Sequence, residues 1–194
     1  PVLRALLVGI ALDRGLISGL DATLAELLPG RMAAVTDPGV RAVTLADLLT
    51  HRAGLAWDER SLPYHDPGNS HRAMVTAASW VDHVLGLPLA EPPGTRFVYN
   101  TGAVHLLGAA LEAAAGMPAD AWAERVLLAP LGIRRWSWNR DPEGHPACGG
   151  THGGMGLLPR DLAKVGQLML AGGRWRGRRV VPAAWVREAV VHRC

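Results

Sequence analysis

Pro93-Gly94-Thr95-Arg96-Phe97-Val98-Tyr99-Asn100-Thr101-Gly102 is a glycine-turned entry into a helix, and the residues after it set how deep that helix lies. Leu106, Leu107, Ala110, Leu111 and Ala114 recur at helical spacing between Ala103 and Ala115, and Gly116 closes the run. A tyrosine at the mouth of a cleft can relay a proton for a serine nucleophile if a cation lowers its pKa. That cation is normally a lysine three residues after the serine. The chain has a single lysine, Lys164, and the residue three before it is Asp161. Tyr99 therefore names a reaction class whose nucleophile lies outside the residues present.

Working outward, Val2-Leu3, Ala5 to Val8 and Ile10 to Leu12 are apolar on nearly every side of a helix, which predicts a buried helix ended by Asp13-Arg14-Gly15. Asp21 is a candidate N-cap for a short stripe of Leu24, Leu27 and Leu28, stopped by Pro29-Gly30. Thr44-Leu45-Ala46-Asp47 reads as a capping box, and Gly54 as the end of its helix. Trp57 to Ser70 is a polar, turn-rich stretch of a length that usually covers a site. Helices are expected near Ser79 to Leu85, from Pro118 to Leu128, and from Pro159 to Gly172-Gly173. The glycine- and histidine-rich stretch from Trp136 to Gly156 has no period and reads as loop, and Val180-Val181 as a short strand. The content is mostly helix and loop.

With 194 residues and 49% apolar content, the chain can bury a core and is not disordered. It opens on Pro1 without a methionine and runs at once into an apolar helix, and it closes at Cys194 with no stop signal. Both ends read as cuts, so residues 1–194 are expected to form one partial domain. No signal peptide or membrane span is visible, and localisation and oligomeric state stay open. The net charge of +3 rests on nineteen arginines and one lysine, a bias more in keeping with coding composition than with phosphate contacts. Arg174-Trp175-Arg176-Gly177-Arg178-Arg179 interleaves an aromatic with cations, as nucleic-acid patches do, but reads as a solvated turn, and no nucleic-acid partner is expected. Cys148 and Cys194 form neither a disulfide framework nor a CxxC pair.

Four blocks in order along the chain carry a family resemblance: Leu7-Val8-Gly9-Ile10-Ala11-Leu12-Asp13-Arg14-Gly15; Thr44 to Leu55; Pro93 to Gly102 with its helix; and Gly153 to Lys164. The chain resembles the serine β-lactamase-related hydrolases: class C β-lactamases, D-alanyl-D-alanine carboxypeptidases, related esterases and, most closely, 6-aminohexanoate-dimer-hydrolase-like proteins. The resemblance implies an α/β (α+β) serine β-lactamase or penicillin-binding transpeptidase-like fold, of which this chain is mostly the helical part. It also implies an acyl-enzyme mechanism on amide or ester bonds of a small molecule, with no cofactor and no metal. The family's Ser-x-x-Lys falls just before residue 1, and its Lys/His-Thr/Ser-Gly strand beyond residue 194. Tyr99 is then the catalytic proton relay.

Many relatives carry Tyr-x-Asn, whereas here the third residue is Thr101, a shorter group with one donor; Thr101 is expected to touch substrate in its place. Tyr64, in Tyr64-His65-Asp66 of the covering loop, is expected to face the substrate or to anchor the loop. His51 is expected to cap helix carbonyls or to pack beneath the site. His145-x-x-Cys148-x-x-x-His152 has metal-like spacing without an evident fourth ligand. The alternative to a hydrolase is a non-catalytic binding or sensor module on the same fold.

Overall fold

The computed structural model describes residues 2–147 and 154–190. Two helices make its centre. Helix α1 (Val2–Asp13) buries Leu6, Leu7, Val8, Ile10 and Ala11, and the helix entered at Tyr99 runs from Thr101 to Ala115 with Gly116 left-handed at its end (φ 64°). The two pack on each other, which is why neither shows a polar face. Short helices surround them in chain order: α2 (Leu24–Leu27), α3 (Pro38–Arg41), α4 (Leu45–Leu49), α5 (Ser70–Thr76) and α6 (Trp80–Leu85). The central helix 101–115 is α7, followed by α8 (Ala119–Ala123), α9 (Pro159–Leu170) and α10 (Ala183–Ala189). Helices α4, α6 and α8 lie against α7, and α10 lies against α1. A π-helical turn, Glu124–Leu128, continues α8 as far as the sequence suggested.

Local chemistry explains the short helices. The capping box at Thr44 and Asp47 is formed, with Thr44 N–H donating to Asp47 at 2.9 Å and Asp47 N–H to the Thr44 hydroxyl at 3.2 Å. A second box, Thr23 with Glu26, caps α2; Thr23 therefore takes the place expected for Asp21, because it alone has an acid three residues on. The end of α4 also differs from expectation. The helix stops at Leu49, short of Gly54, and both His51 (φ 56°) and Gly54 (φ 71°) take the left-handed conformation beyond it, one that non-glycine residues such as His51 seldom adopt.

Helix α5 was not apparent in the sequence. Asn69 starts it by accepting from His71 N–H at 2.9 Å. The stretch from Trp136 to Gly156 is not all loop: Trp136–Trp138 (β1) and Met155–Leu157 (β2) pair antiparallel, with Trp136 opposite Leu157. Likewise the arginine-rich segment is a hairpin of Arg174–Trp175 (β3) and Arg178–Arg179 (β4), and Val181 lies buried just past it. Gly9 of α1 is required by packing. A Cβ there would collide with the Trp185 indole of α10, whose Nε1–H donates to Ala5 O at 2.8 Å.

Candidate active site

The segment carrying Tyr99 is laid against the end of α4 by its backbone. Gly94 N–H donates to Arg52 O at 2.8 Å and Val98 N–H to His51 O at 2.8 Å. Asn100 N–H donates to His51 Nδ1 at 3.1 Å. Since Nδ1 accepts, the neutral ring carries its proton on Nε2. Burial also pushes the His51 pKa below the usual histidine value, which favours that neutral form. The ring stacks on Tyr99 at 4.9 Å between centroids and 24° between planes. His51 thus packs beneath the tyrosine, one of the two roles its sequence allowed.

Asn100 is the N-cap of α7, its side chain accepting from Ala103 N–H at 2.8 Å, so it is spent on the helix. Thr101 follows as the first helical residue and is 3% exposed. Its N–H and hydroxyl both donate to the carboxylate of Glu59, at 2.9 and 3.0 Å. Glu59 is 2% exposed and also accepts from Trp57 Nε1–H at 2.8 Å and from the Tyr64 hydroxyl at 3.2 Å. The two residues expected to touch substrate, Thr101 and Tyr64, therefore share one buried acid. Burial, and after it the negative charge of Glu59, raise the Tyr64 pKa, which keeps its phenol protonated. The Arg60 guanidinium also stands over the Tyr99 ring, 4.8 Å from its centroid.

A cleft of about 330 Å³ brings these pieces to α1. Tyr99 and Thr101 line it on one side, Val2, Leu3 and Arg4 at the start of α1 on another, with Trp138 and Met155 from the β1–β2 hairpin. Apart from Arg4, Tyr99 and Thr101, the wall is apolar side chain and backbone. Sequence reasoning missed Glu59, Arg60 and Arg4. Only Arg4 carried a signal, as the one charged residue of α1 ahead of Asp13.

The metal-like spacing at 145–152 falls partly outside the described residues, where Cys148 and His152 lie. His145 is described, and its Nδ1 sits 2.6 Å from Glu112 Oε2. Among the described residues no three His, Cys, Asp or Glu groups are gathered as a metal site, and no helix is long and apolar enough to cross a membrane.

The beta-lactamase family model matches residues 2–192 of this sequence. The chain belongs to the beta-lactamase family. This beta-lactamase-family chain has the fold of the solved β-lactamase-like and penicillin-binding proteins. A Bacillus anthracis protein assigned as a 6-aminohexanoate-dimer hydrolase superposes with a TM-score of 0.79 at 16% identity, over 96% of this chain and 50% of that one. A penicillin-binding protein from Bacillus halodurans gives 0.70 at 17% identity, over 96% and 61%. A D-stereospecific amidohydrolase from Streptomyces gives 0.66 at 20% identity, over 96% and 62%. The chain thus spans 50–62% of the length of these three structures. Comparison with curated protein sequences gives no match.

Proposed function

We propose that the protein is a serine hydrolase that opens amide or ester bonds of a small molecule through an acyl-enzyme, with Tyr99 as proton relay. The observation that carries this reading is the cleft itself, in which Tyr99 faces the first turn of α1. The Ser-x-x-Lys of the family belongs immediately before that turn. In the reaction the serine oxygen adds to the carbonyl carbon, and its proton passes by way of the lysine and Tyr99 to the departing amine or alcohol. Water then adds to the ester so formed, giving its proton back to serine and releasing the acid. The other half of the machinery, the oxyanion-binding strand, belongs beyond residue 194.

Around this centre Thr101 and Tyr64 are assigned to the substrate side. Thr101 lines the cleft, and Tyr64 belongs to the loop tied to it through Glu59. A substrate amide would take over hydrogen bonds these hydroxyls now give to the acid. His51, neutral and stacked on Tyr99, keeps the phenol ring in place.

The test is labelling with a serine-reactive fluorophosphonate, of residues 1–194 extended by the codons upstream. Labelling at a serine three residues before a lysine is the expected result. An upstream segment without Ser-x-x-Lys, or one that carries it and is never labelled, would replace this reading by a non-catalytic binding module.

A further inference from the structure

The arginine-rich hairpin is costly as built. Strands β3 and β4 are joined by two residues, Arg176 and Gly177, both left-handed (φ 48° and 80°). A turn of this kind favours Asn, Asp or Gly at its first position, and an arginine there strains the backbone. The register also sets Arg174 directly across from Arg179, and like charges opposite one another destabilise paired strands. One carboxylate relieves this, Asp13, which pairs with Arg179 at 3.3 Å. Arg174 spends one donor on Gly177 O at 2.6 Å, which leaves its charge unbalanced. Among the described residues no acid pairs with Arg174, Arg176 or Arg178, and all three are exposed.

Positive charge is gathered here rather than spread. Residues 171–190 hold five arginines and one acid, a surplus of four in a chain whose whole surplus is three. Coding bias explains why the cations are arginines and not lysines; it does not explain their assembly on one hairpin. The foot of the hairpin is fixed, because Val180 and Val181 N–H both donate to Gly173 O, at 2.9 and 3.0 Å, and Val181 is buried. Beside that foot stands Leu170, at 86% the most exposed large apolar residue among those described. Arg174 N–H donates to Ala171 O at 3.2 Å, so the end of α9 turns directly into the hairpin.

The aromatic decides which anionic partner fits. Single-stranded nucleic acid draws affinity from bases stacked on an open ring. Trp175 is not open: it is half-buried and packed against the core, and the Arg176 guanidinium stands 6.0 Å from its centroid. A bilayer asks instead for cations beside an exposed apolar side chain, which is what Arg174, Arg176, Arg178 and Leu170 supply. We propose that this hairpin, with Leu170, is the surface by which the protein docks on membranes rich in anionic phospholipid, the arginines among the headgroups and Leu170 at the acyl boundary. None of these residues lines the Tyr99 cleft, so the proposal stands or falls independently of the hydrolase reading.

The test is co-sedimentation of residues 1–194 with vesicles of phosphatidylcholine alone or mixed with phosphatidylglycerol. Each arginine at an anionic surface is worth roughly fivefold in partition, so three should favour the mixed vesicles by about a hundredfold, and added salt should erase the preference. Arg176→Asn combined with Arg178→Gln should cut it by about twenty-fivefold while melting no lower than wild type, since Asn suits the turn. Arg134→Gln combined with Arg135→Gln, an exposed pair outside the hairpin, should leave it unchanged. Leu170→Ser should weaken binding to both kinds of vesicle. Equal partition onto the two vesicles, a preference that survives the Arg176 and Arg178 changes, an equal loss from the Arg134 and Arg135 changes, binding indifferent to Leu170→Ser, or tighter binding to a single-stranded oligonucleotide than to the mixed vesicles would each overturn the proposal. Should the Arg176 and Arg178 double variant fail to fold, Arg176→Asn alone decides, with a loss of about fivefold expected.

Discussion

Glu59 holds Thr101 at two atoms, taking a hydrogen bond from its backbone N–H at 2.9 Å and another from its hydroxyl at 3.0 Å. The pair joins the covering loop to the first residue of a 15-residue helix. It also places a carboxylate at that helix's N-terminus, where backbone N–H groups lack partners and the dipole favours negative charge. Because Tyr99 is two residues away, whatever fixes Thr101 fixes the approach to the tyrosine.

Replacing Glu59 by Ala should therefore destabilise the fold by about 2–5 kcal/mol, since the Trp57, Thr101 and Tyr64 donors would all be left buried or half-buried without their acceptor. Glu59→Gln keeps the shape and one accepting oxygen, and should cost less than half of that. Urea unfolding of the two variants measures the difference. Equal loss in both would mean that the charge, rather than the number of accepted bonds, is what the site requires.

A second expectation concerns acid. His105 of α7 and Asp141 meet at 3.1 Å, His105 being 2% exposed. Burial pushes the His105 pKa below the ordinary histidine value, against the opposing pull of Asp141. For Asp141, burial alone would raise the pKa, but hydrogen bonds from His105 and from the His145 N–H outweigh it and hold the carboxyl below its usual value. In both cases the unfolded chain takes up its proton first as pH falls. Stability should drop as pH descends from the ordinary histidine range, through the His105 contribution, and drop again below the ordinary carboxylate range, through Asp141. Denaturant midpoints at pH 7, 5 and 2.5 read the two steps; His105→Gln should flatten the first and leave the second. A protein as stable at pH 4 as at pH 7 would contradict the assignment.

Gly9 sets helix propensity against packing. Ala favours a helix interior over Gly by about 0.5–1 kcal/mol, yet the Cβ would run into the Trp185 indole. Overpacking typically costs about 1–3 kcal/mol, and Trp185 is tethered to Ala5 O, so Gly9→Ala should be net destabilising. In a Trp185→Ala background the same change should become neutral or stabilising. Thermal melts of the four proteins in that cycle give the coupling.

Much of this was written in the chain, and for identifiable reasons. Leu6 to Ala11 and Leu106 to Leu111 announced two buried helices because no polar face interrupts them, and Thr44 with Asp47 announced a cap because the chemistry is local. His51 was harder: its left-handed backbone is imposed by the strand-like segment at Val98 to Asn100 that bonds to it, a partner 49 residues distant. The β1–β2 pairing was invisible for a similar cause, since Trp136 and Leu157 are brought together across a long connection with no alternating pattern of their own. Glu59 sat among Asp58, Arg60 and Ser61 in a polar, turn-rich loop expected to cover a site. Nothing local separates a buried acid from an exposed one there; only the arrival of Thr101 does.

Tyr99 itself gives the sharpest expectation, in protein extended upstream to the Ser-x-x-Lys that the proposed function requires. Its ring is in contact with His51, stacked at 4.9 Å, and with the Arg60 guanidinium at 4.8 Å. Those contacts involve the ring, and a phenylalanine retains them with a somewhat weaker cation–π term. Tyr99→Phe should therefore fold as well as wild type, within about 0.5 kcal/mol, the hydroxyl of this half-buried residue having no hydrogen-bond partner among the described residues. If that hydroxyl relays the proton in acylation, its loss should lower the rate by about 10²–10⁴. The loss should fall on kcat and kcat/KM together, because the interaction belongs to the transition state and not to bound substrate. His51→Gln gives the complementary result: it removes the stacked ring, so it should disturb both stability and rate. A Tyr99→Phe enzyme that keeps more than half of the wild-type kcat/KM on its best substrate would make Tyr99 a packing residue of the cleft and end its assignment as the relay.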